Sequence, residues 1–284
     1  MKLNKIVFLG LIPALLSITA CKKKEIDNEI ESVIDFSIFQ NELASITSIV
    51  QSEVQFKDGL KRISSTYLAL NNQCPKDSLT GDTSGWYSGT YSNASNLPGL
   101  LLDWGTGCVS NVDLRNRTGK LKTSLTKPFQ QNGCAVSINP MTYKFSLDNG
   151  SLLNFNGSFN LIRTSSNQFQ VNGQNIILAE GSWSANFSMS ENISCTYGMN
   201  DTLANNEIYE ITGELNGINR TGKKFSALIT SPLVKKSNYK WITSGKVELL
   251  PEGLEKRVID FGNGAEDNLA TFEINGSVFS FNLR

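Results

Sequence analysis

Leu153-Asn154-Phe155-Asn156-Gly157-Ser158-Phe159-Asn160-Leu161 alternates apolar and polar side chains on both sides of a central Asn-Gly pair. A period of two puts Leu153 and Phe155 on one face of an extended chain, and Phe159 and Leu161 continue that face beyond the glycine. Trp183, Ala185, Phe187 and Met189 repeat the alternation, as do Ile211, Gly213 and Leu215. Asn-Gly pairs begin at Asn132, Asn149, Asn156, Asn172, Asn216, Asn263 and Asn275. Both residues of the pair tolerate positive φ, so Asn-Gly between alternating runs signals a tight hairpin. Not every pair need be a turn; Asn156-Gly157, inside an alternating run, reads as a bulge. The expected fold is all-β: an antiparallel, hairpin-rich sandwich or open barrel over residues 74–284.

Upstream the period changes. Phe39, Leu43, Ile46 and Val50 form the stripe of an amphipathic helix, and Asn71, Asn72 and Pro75 end the pattern. Residues 21–73 therefore read as a tether and a helical N-terminal spacer that packs on the domain by one face. Lys2 and Lys5 precede the apolar run Ile6–Leu16, which would span about 16 Å as a helix, half a bilayer core. Residues 1–20 thus read as a signal peptide. Ile18-Thr19-Ala20-Cys21 resembles the lipobox of bacterial lipoproteins. The resemblance implies cleavage before Cys21, acylation of its thiol and attachment to a membrane through the lipid. The charged cluster Lys22-Lys23-Lys24-Glu25, with Asp27, Glu29 and Glu31 close behind, resembles the surface-export signal of Bacteroidota lipoproteins. It implies an outer-membrane protein facing outward.

The 26 basic and 26 acidic residues balance, and without Lys2 and Lys5 the mature chain is slightly acidic. Nothing in that balance suits nucleic acid. The absence of histidine excludes Ser-His-Asp triads, Cys-His dyads and histidine-ligated zinc or iron sites. Carboxylate chemistry, a Ser–Lys or Thr nucleophile, or an oxygen-ligand metal remains. No cofactor is expected.

Two short motifs recur. Asn116-Arg117-Thr118-Gly119-Lys120 returns as Asn219-Arg220-Thr221-Gly222-Lys223, and Asp103-Trp104-Gly105-Thr106-Gly107 returns as Asp260-Phe261-Gly262-Asn263-Gly264. Both pairs read as polar, Gly-containing turns of two similar hairpin units. The D-[FW]-G-x-G-C run ending at Cys108, the N-R-T-G-K turn, Ile242-Thr243-Ser244-Gly245 and the closing run to Asn275-Gly276 together resemble a group of Bacteroidota surface lipoproteins of unknown function. The likeness covers most of residues 74–284 and departs at Ala265, where the group's pattern has a cysteine. It implies location and β architecture and supplies no mechanism.

Gly217–Lys224 is one residue short of a phosphate-binding loop, yet Lys224–Thr230 reads as a strand where such a loop leads into a helix, so it is a hairpin. Asp103 and Asp260 would be a general acid/base pair if their motifs met, and otherwise each accepts bonds from its own turn. Asp260, Asn263, Glu266, Asp267 and Asn268 offer oxygen ligands for calcium in an order unlike an EF-hand. Trp86, Tyr87, Tyr91, Trp104, Trp183 and Trp241 could stack on sugars or fill the core. Four cysteines besides Cys21 (Cys74, Cys108, Cys134 and Cys195) suit two disulfides in an oxidising compartment. With Gly85–Ser92, Gly99–Gly105 and Gly119–Thr126 as an up-down-up meander, Cys74 and Cys108 fall at one end and Cys134 at the other. That predicts Cys74–Cys108, with Cys134–Cys195 left by elimination. The expected function is an acyl-anchored, non-enzymatic structural or ligand-binding domain that takes a glycan or surface protein as partner. The alternative is a carboxylate-dependent glycan-active enzyme or glycan-binding module.

Overall fold

The computed structural model describes residues 27–57, 74–82, 96–110, 113–201, 203 and 205–284. The leader, Cys21, the expected strand Gly85–Ser92 and the aromatics Trp86, Tyr87 and Tyr91 lie outside the described residues. Among the described residues one helix, α1 (Glu31–Lys57), precedes fourteen strands. The first group is β1 (Lys76–Thr80), β2 (Gly99–Val109), β3 (Asn116–Leu125), β4 (Ala135–Ser146) and β5 (Leu152–Asn156). Next come β6 (Phe159–Arg163), β7 (Gln168–Glu180), β8 (Trp183–Tyr197), β9 (Ile208–Ile218) and β10 (Lys224–Lys236). The last are β11 (Ile242–Pro251), β12 (Arg257–Asn263), β13 (Leu269–Ile274) and β14 (Ser277–Asn282).

All strands belong to a single antiparallel sheet in which neighbours in sequence are neighbours in space. The all-β expectation holds, and among the described residues the sheet is open: β1 and β14 end the strand order and do not pair with each other. β5 and β6 share one place in the meander, because each pairs β4 on one side and β7 on the other. They are a single strand interrupted at Gly157, where φ is +100° and an added Cβ would lie 2.7 Å from the Asn175 carbonyl oxygen. The alternating run that announced the sheet is therefore one strand with a break.

Four Asn-Gly pairs lie in connections or at a strand end, at Asn132, Asn149, Asn263 and Asn275. Asn172-Gly173 and Asn216-Gly217 sit inside β7 and β9 instead. At Gly217 the reason is packing, since the Phe225 ring covers the glycine and a Cβ would meet it at 2.4 Å.

The helix departs from expectation in its placement. It is a helical N-terminal segment, but it is buried on every side within the curl of the sheet, where a spacer would show one face to solvent. Phe39 stacks on Phe155 of β5 at 5.8 Å and on Phe187 of β8 at 4.1 Å between ring centroids. Asn41 accepts from the Ile242 amide of β11 at 2.7 Å, and Gln40 donates to Glu191 of β8 at 3.2 Å. A periodicity count treats Asp35, Gln40, Asn41 and Glu42 as solvated, because it has no knowledge of partners waiting on the sheet. Glu29 caps the start by accepting from the Ser32 amide at 2.7 Å.

Cys74 and Cys108 are joined, with Cα atoms 6.0 Å apart. Strand direction brings them together, because β1 begins just after Cys74 and runs antiparallel to β2. The second pairing is corrected: Cys134 and Cys195 are buried thiols. Cys134 adjoins β4 and Cys195 lies on β8, with the shared β5/β6 place and β7 between them. Three steps of about 4.8 Å exceed the roughly 7 Å reach of a disulfide. Elimination failed because it ignored the intervening strands. Opening the Cys74–Cys108 link by Cys108→Ser should lower stability by about 3–4 kcal/mol, from the 34-residue separation it closes. Urea unfolding checks this, and a midpoint equal to wild type would contradict it.

Candidate functional site

The interior is held by ions. Glu42 of α1 accepts from Arg115 Nη1 at 3.0 Å, Arg117 Nε at 3.0 Å and the Tyr143 hydroxyl at 2.5 Å. Arg117 also donates to both oxygens of Asp113, at 2.8 and 2.6 Å. All four charged side chains are buried, so each relies on the others for the solvation that water would supply. Burial pushes the Asp113 carboxyl up, but Arg117, Lys235 and Arg115 outweigh it and hold the group well below the usual carboxylate range. Burial brings Lys235 down to about 7 against the pull of Asp113, and its ammonium donates to the Tyr239 carbonyl. Arg115 closes the curl by donating to the backbone oxygen of Arg284 at 3.3 Å.

A second set grips the start of the helix. Arg220, in the β9–β10 turn, donates from its amide and its guanidinium to Asp35, and stacks over the Trp183 ring at 4.0 Å. Asn219 donates to Glu29 at 2.8 Å, and Arg257 of β12 donates to Asp27 and to the Glu29 carbonyl. The recurring N-R-T-G-K motif acquires its meaning here. Its second copy is the β9–β10 turn, but the first is not a turn; it lies within β3, bulged at Gly119. What the copies share is an arginine that reaches an acid of the helix, Glu42 from Arg117 and Asp35 from Arg220.

The other echo is structural in both copies. Asp103 accepts from the Gly105 amide at 2.8 Å and pairs with Lys120 at 2.9 Å. Asp260 accepts from the Gly262 amide at 2.9 Å and pairs with Lys246 at 3.0 Å. The Lys120 ammonium and the Gly105 amide hold Asp103 below the ordinary carboxylate range. Asp260 borders a depression of about 370 Å³ with Asp267 and Thr243, and Asp103 is not among its lining residues. The expected turns are corrected: residues 103–107 lie within β2, where its pairing with β3 is bulged around Gly105, and residues 260–263 lie within β12, so each acid is tied to the backbone of its own strand.

No protein-family model, curated protein or solved structure significantly matches the chain. The reading of its surface therefore rests on its own geometry.

Among the described residues no group of three or more acidic or cysteine side chains is placed to hold a metal ion. The calcium candidates are engaged locally: Asn263 accepts from Ala265, Asp267 from Leu269, and Glu266 pairs with Lys236. Gly217–Lys224 is a hairpin, as expected, with the Asn219 amide bonded to the Lys223 carbonyl at 2.9 Å. Trp104 is core, edge-on to Tyr143 at 5.2 Å, and Trp241 packs with Tyr239 and Lys240.

One opening was not read as a site from the sequence, although Gly217, Ile218 and Lys224 of the hairpin run line it. A groove of about 700 Å³ crosses β8 to β11, with Ser188, Asn216 and Ser226 as a polar row and Ile218, Leu250 and Leu254 as its apolar part. Ser188 faces Asn216, Asn216 faces Ser226, and Ser226 faces Leu250 across successive strands. Register assembles the groove from four strands, so no local stretch of sequence carries it.

The buried charges are open to measurement. Glu42→Gln should cost about 3–5 kcal/mol in urea unfolding, because two buried guanidinium groups would lose their shared carboxylate. A loss below about 1 kcal/mol would show that the ions are solvated. Glu191, buried beside Gln40, is pushed up to about 7 by burial. A carboxyl raised in the folded state contributes stability below its unfolded pKa and loses it as pH rises through the folded value. Glu53, also raised to about 7 by burial, acts in the same window, so stability should fall from about pH 4.5 to about pH 7 and Glu191→Gln should lessen that slope by its own share. Tm against pH measures it; an unchanged slope in the variant refutes the assignment.

Proposed function

We propose that the chain is an acyl-anchored lipoprotein of the outer membrane, facing outward, whose β domain is non-enzymatic and works by contact through its outer surface. The observation that carries this reading is the occupied interior. The helix and its ion network fill the space in which a curled sheet would hold a substrate, and Glu42, Asp113, Arg115 and Arg117 of that network are spent on one another. The Cys74–Cys108 link supports an oxidising compartment. The lipobox-like run before Cys21 supports the anchor, and the groove across β8 to β11 supplies a contact surface.

The glycan-active alternative needs Asp103 and Asp260 in one cleft, and each is tied instead to the backbone of its own strand and to its own lysine. Labelled palmitate tests the anchor: wild type should incorporate it, while Cys21→Ser should accumulate as unlabelled precursor. Equal labelling of both would remove the anchor. Asp103→Asn and Asp260→Asn should each lower stability by about 1 kcal/mol or less, as for exposed ion pairs. A glycan hydrolysis lost in these folded variants would reverse the choice between contact and catalysis.

A further inference from the structure

The groove and the exit of the chain toward Cys21 share one end of the sheet. Ile218, on one rim, is followed directly by Asn219, which holds Glu29. Leu254, on the other, is followed by Glu255, whose amide donates to Asp27 at 3.3 Å. Five residues separate Cys21 from Asp27, so the two are at most about 20 Å apart even fully extended. Around that exit stand three exposed apolar side chains: Ile30, 43 % exposed, Ile218, 41 %, and Leu250, 50 %. Lys223 and Lys224 adjoin them and make no ion pair among the described residues, with Glu252 the acidic neighbour on the groove rim.

We propose that this end of the domain is a membrane-docking face: Ile30, Ile218 and Leu250 rest on the phospholipid bilayer that holds the acyl chains of Cys21. The proposal rests on the acyl-anchor reading above. A tether this short keeps the face at high effective concentration beside the bilayer, so a weak apolar contact is populated without strong intrinsic affinity. Apolar side chains at an interface gain by leaving water, and long basic side chains can reach anionic headgroups. Lys223 and Lys224 are partly offset by Glu252, so burial of the three aliphatic groups supplies most of the contact, and salt should weaken it little. Exposed apolar groups also occur at the far end, where Tyr197 is 59 % exposed. That end lies beside Gln55, which contacts Met199, roughly 35 Å along the helix from its start. A domain standing on its tethered end holds that far end away from the bilayer.

The test uses the full acylated protein in vesicles of phosphatidylethanolamine and phosphatidylglycerol containing phospholipids brominated in their acyl chains. Leu250→Trp and, independently, Ile218→Trp add a fluorophore to the proposed face, and Tyr197→Trp adds one at the far end. Quenching in excess of wild type should be at least about threefold stronger for the first two than for Tyr197→Trp, and nearly unchanged by salt. Equal quenching at both ends, or stronger quenching of Tyr197→Trp, overturns the docking face. Protein that takes up no labelled palmitate and does not float with the vesicles brings down the anchor, and the docking face with it. Acylated, floating protein without quenching at 218 and 250 brings down the docking face alone.

Discussion

Everything in this fold depends on the burial of one helix inside one sheet. A meander of antiparallel strands turns an apolar face inward at every second residue, and the curl encloses a space that must be filled or collapse. The helix fills it. Phe39 enters between β5 and β8 and stacks on Phe155 and Phe187, which continues to Phe225 of β10. The sheet needs no closing ladder between β1 and β14, because strands on several sides converge on the same helix. Arg115 ties the β2–β3 connection to Arg284 across the gap.

The helix carries charges into that interior, and this gives the packing its register. Aliphatic contacts tolerate sliding, whereas Glu42 meets Arg115, Arg117 and Tyr143 in only one position along the axis. Asp35 with Arg220, and Asp27 with Arg257, set the position at the lower end. Three acids spaced along one segment thus bind three parts of the sheet, from β3 to β12. This division of labour leaves the outer face as the place for contact, on the proposed reading of the protein. A polar row and an apolar strip cross four strands there, next to the point where the helix lead-in leaves the sheet.

Alternation and Asn-Gly pairs determined the all-β class and its antiparallel hairpins from sequence alone. Strand direction gave the Cys74–Cys108 link, although the strand that adjoins Cys74 is β1 and the expected strand at 85–92 lies outside the described residues. These are local properties: a period of two, a tolerance of positive φ and a chain reversal act over a few residues. The bonds of Asp103 and Asp260 to the amides two residues on were legible for the same reason, although the runs that carry them are strand and not turn. The absence of histidine likewise limited the chemistry without any structure.

Only the tertiary structure decided that α1 is enclosed, that Cys134 and Cys195 stay apart, and that one N-R-T-G-K copy bends a strand while the other turns a corner. Each outcome depends on partners far away in sequence. Asn41 is buried because Ile242 offers it an amide, and Glu42 because two arginines of the β2–β3 hairpin surround it. Ser188, Asn216, Ser226 and Leu250 become neighbours only through the register of β8 to β11. A polar residue on a helix has the same sequence signature facing water or facing a buried guanidinium, and packing chooses between them because a buried charge is stable only beside its counter-charge.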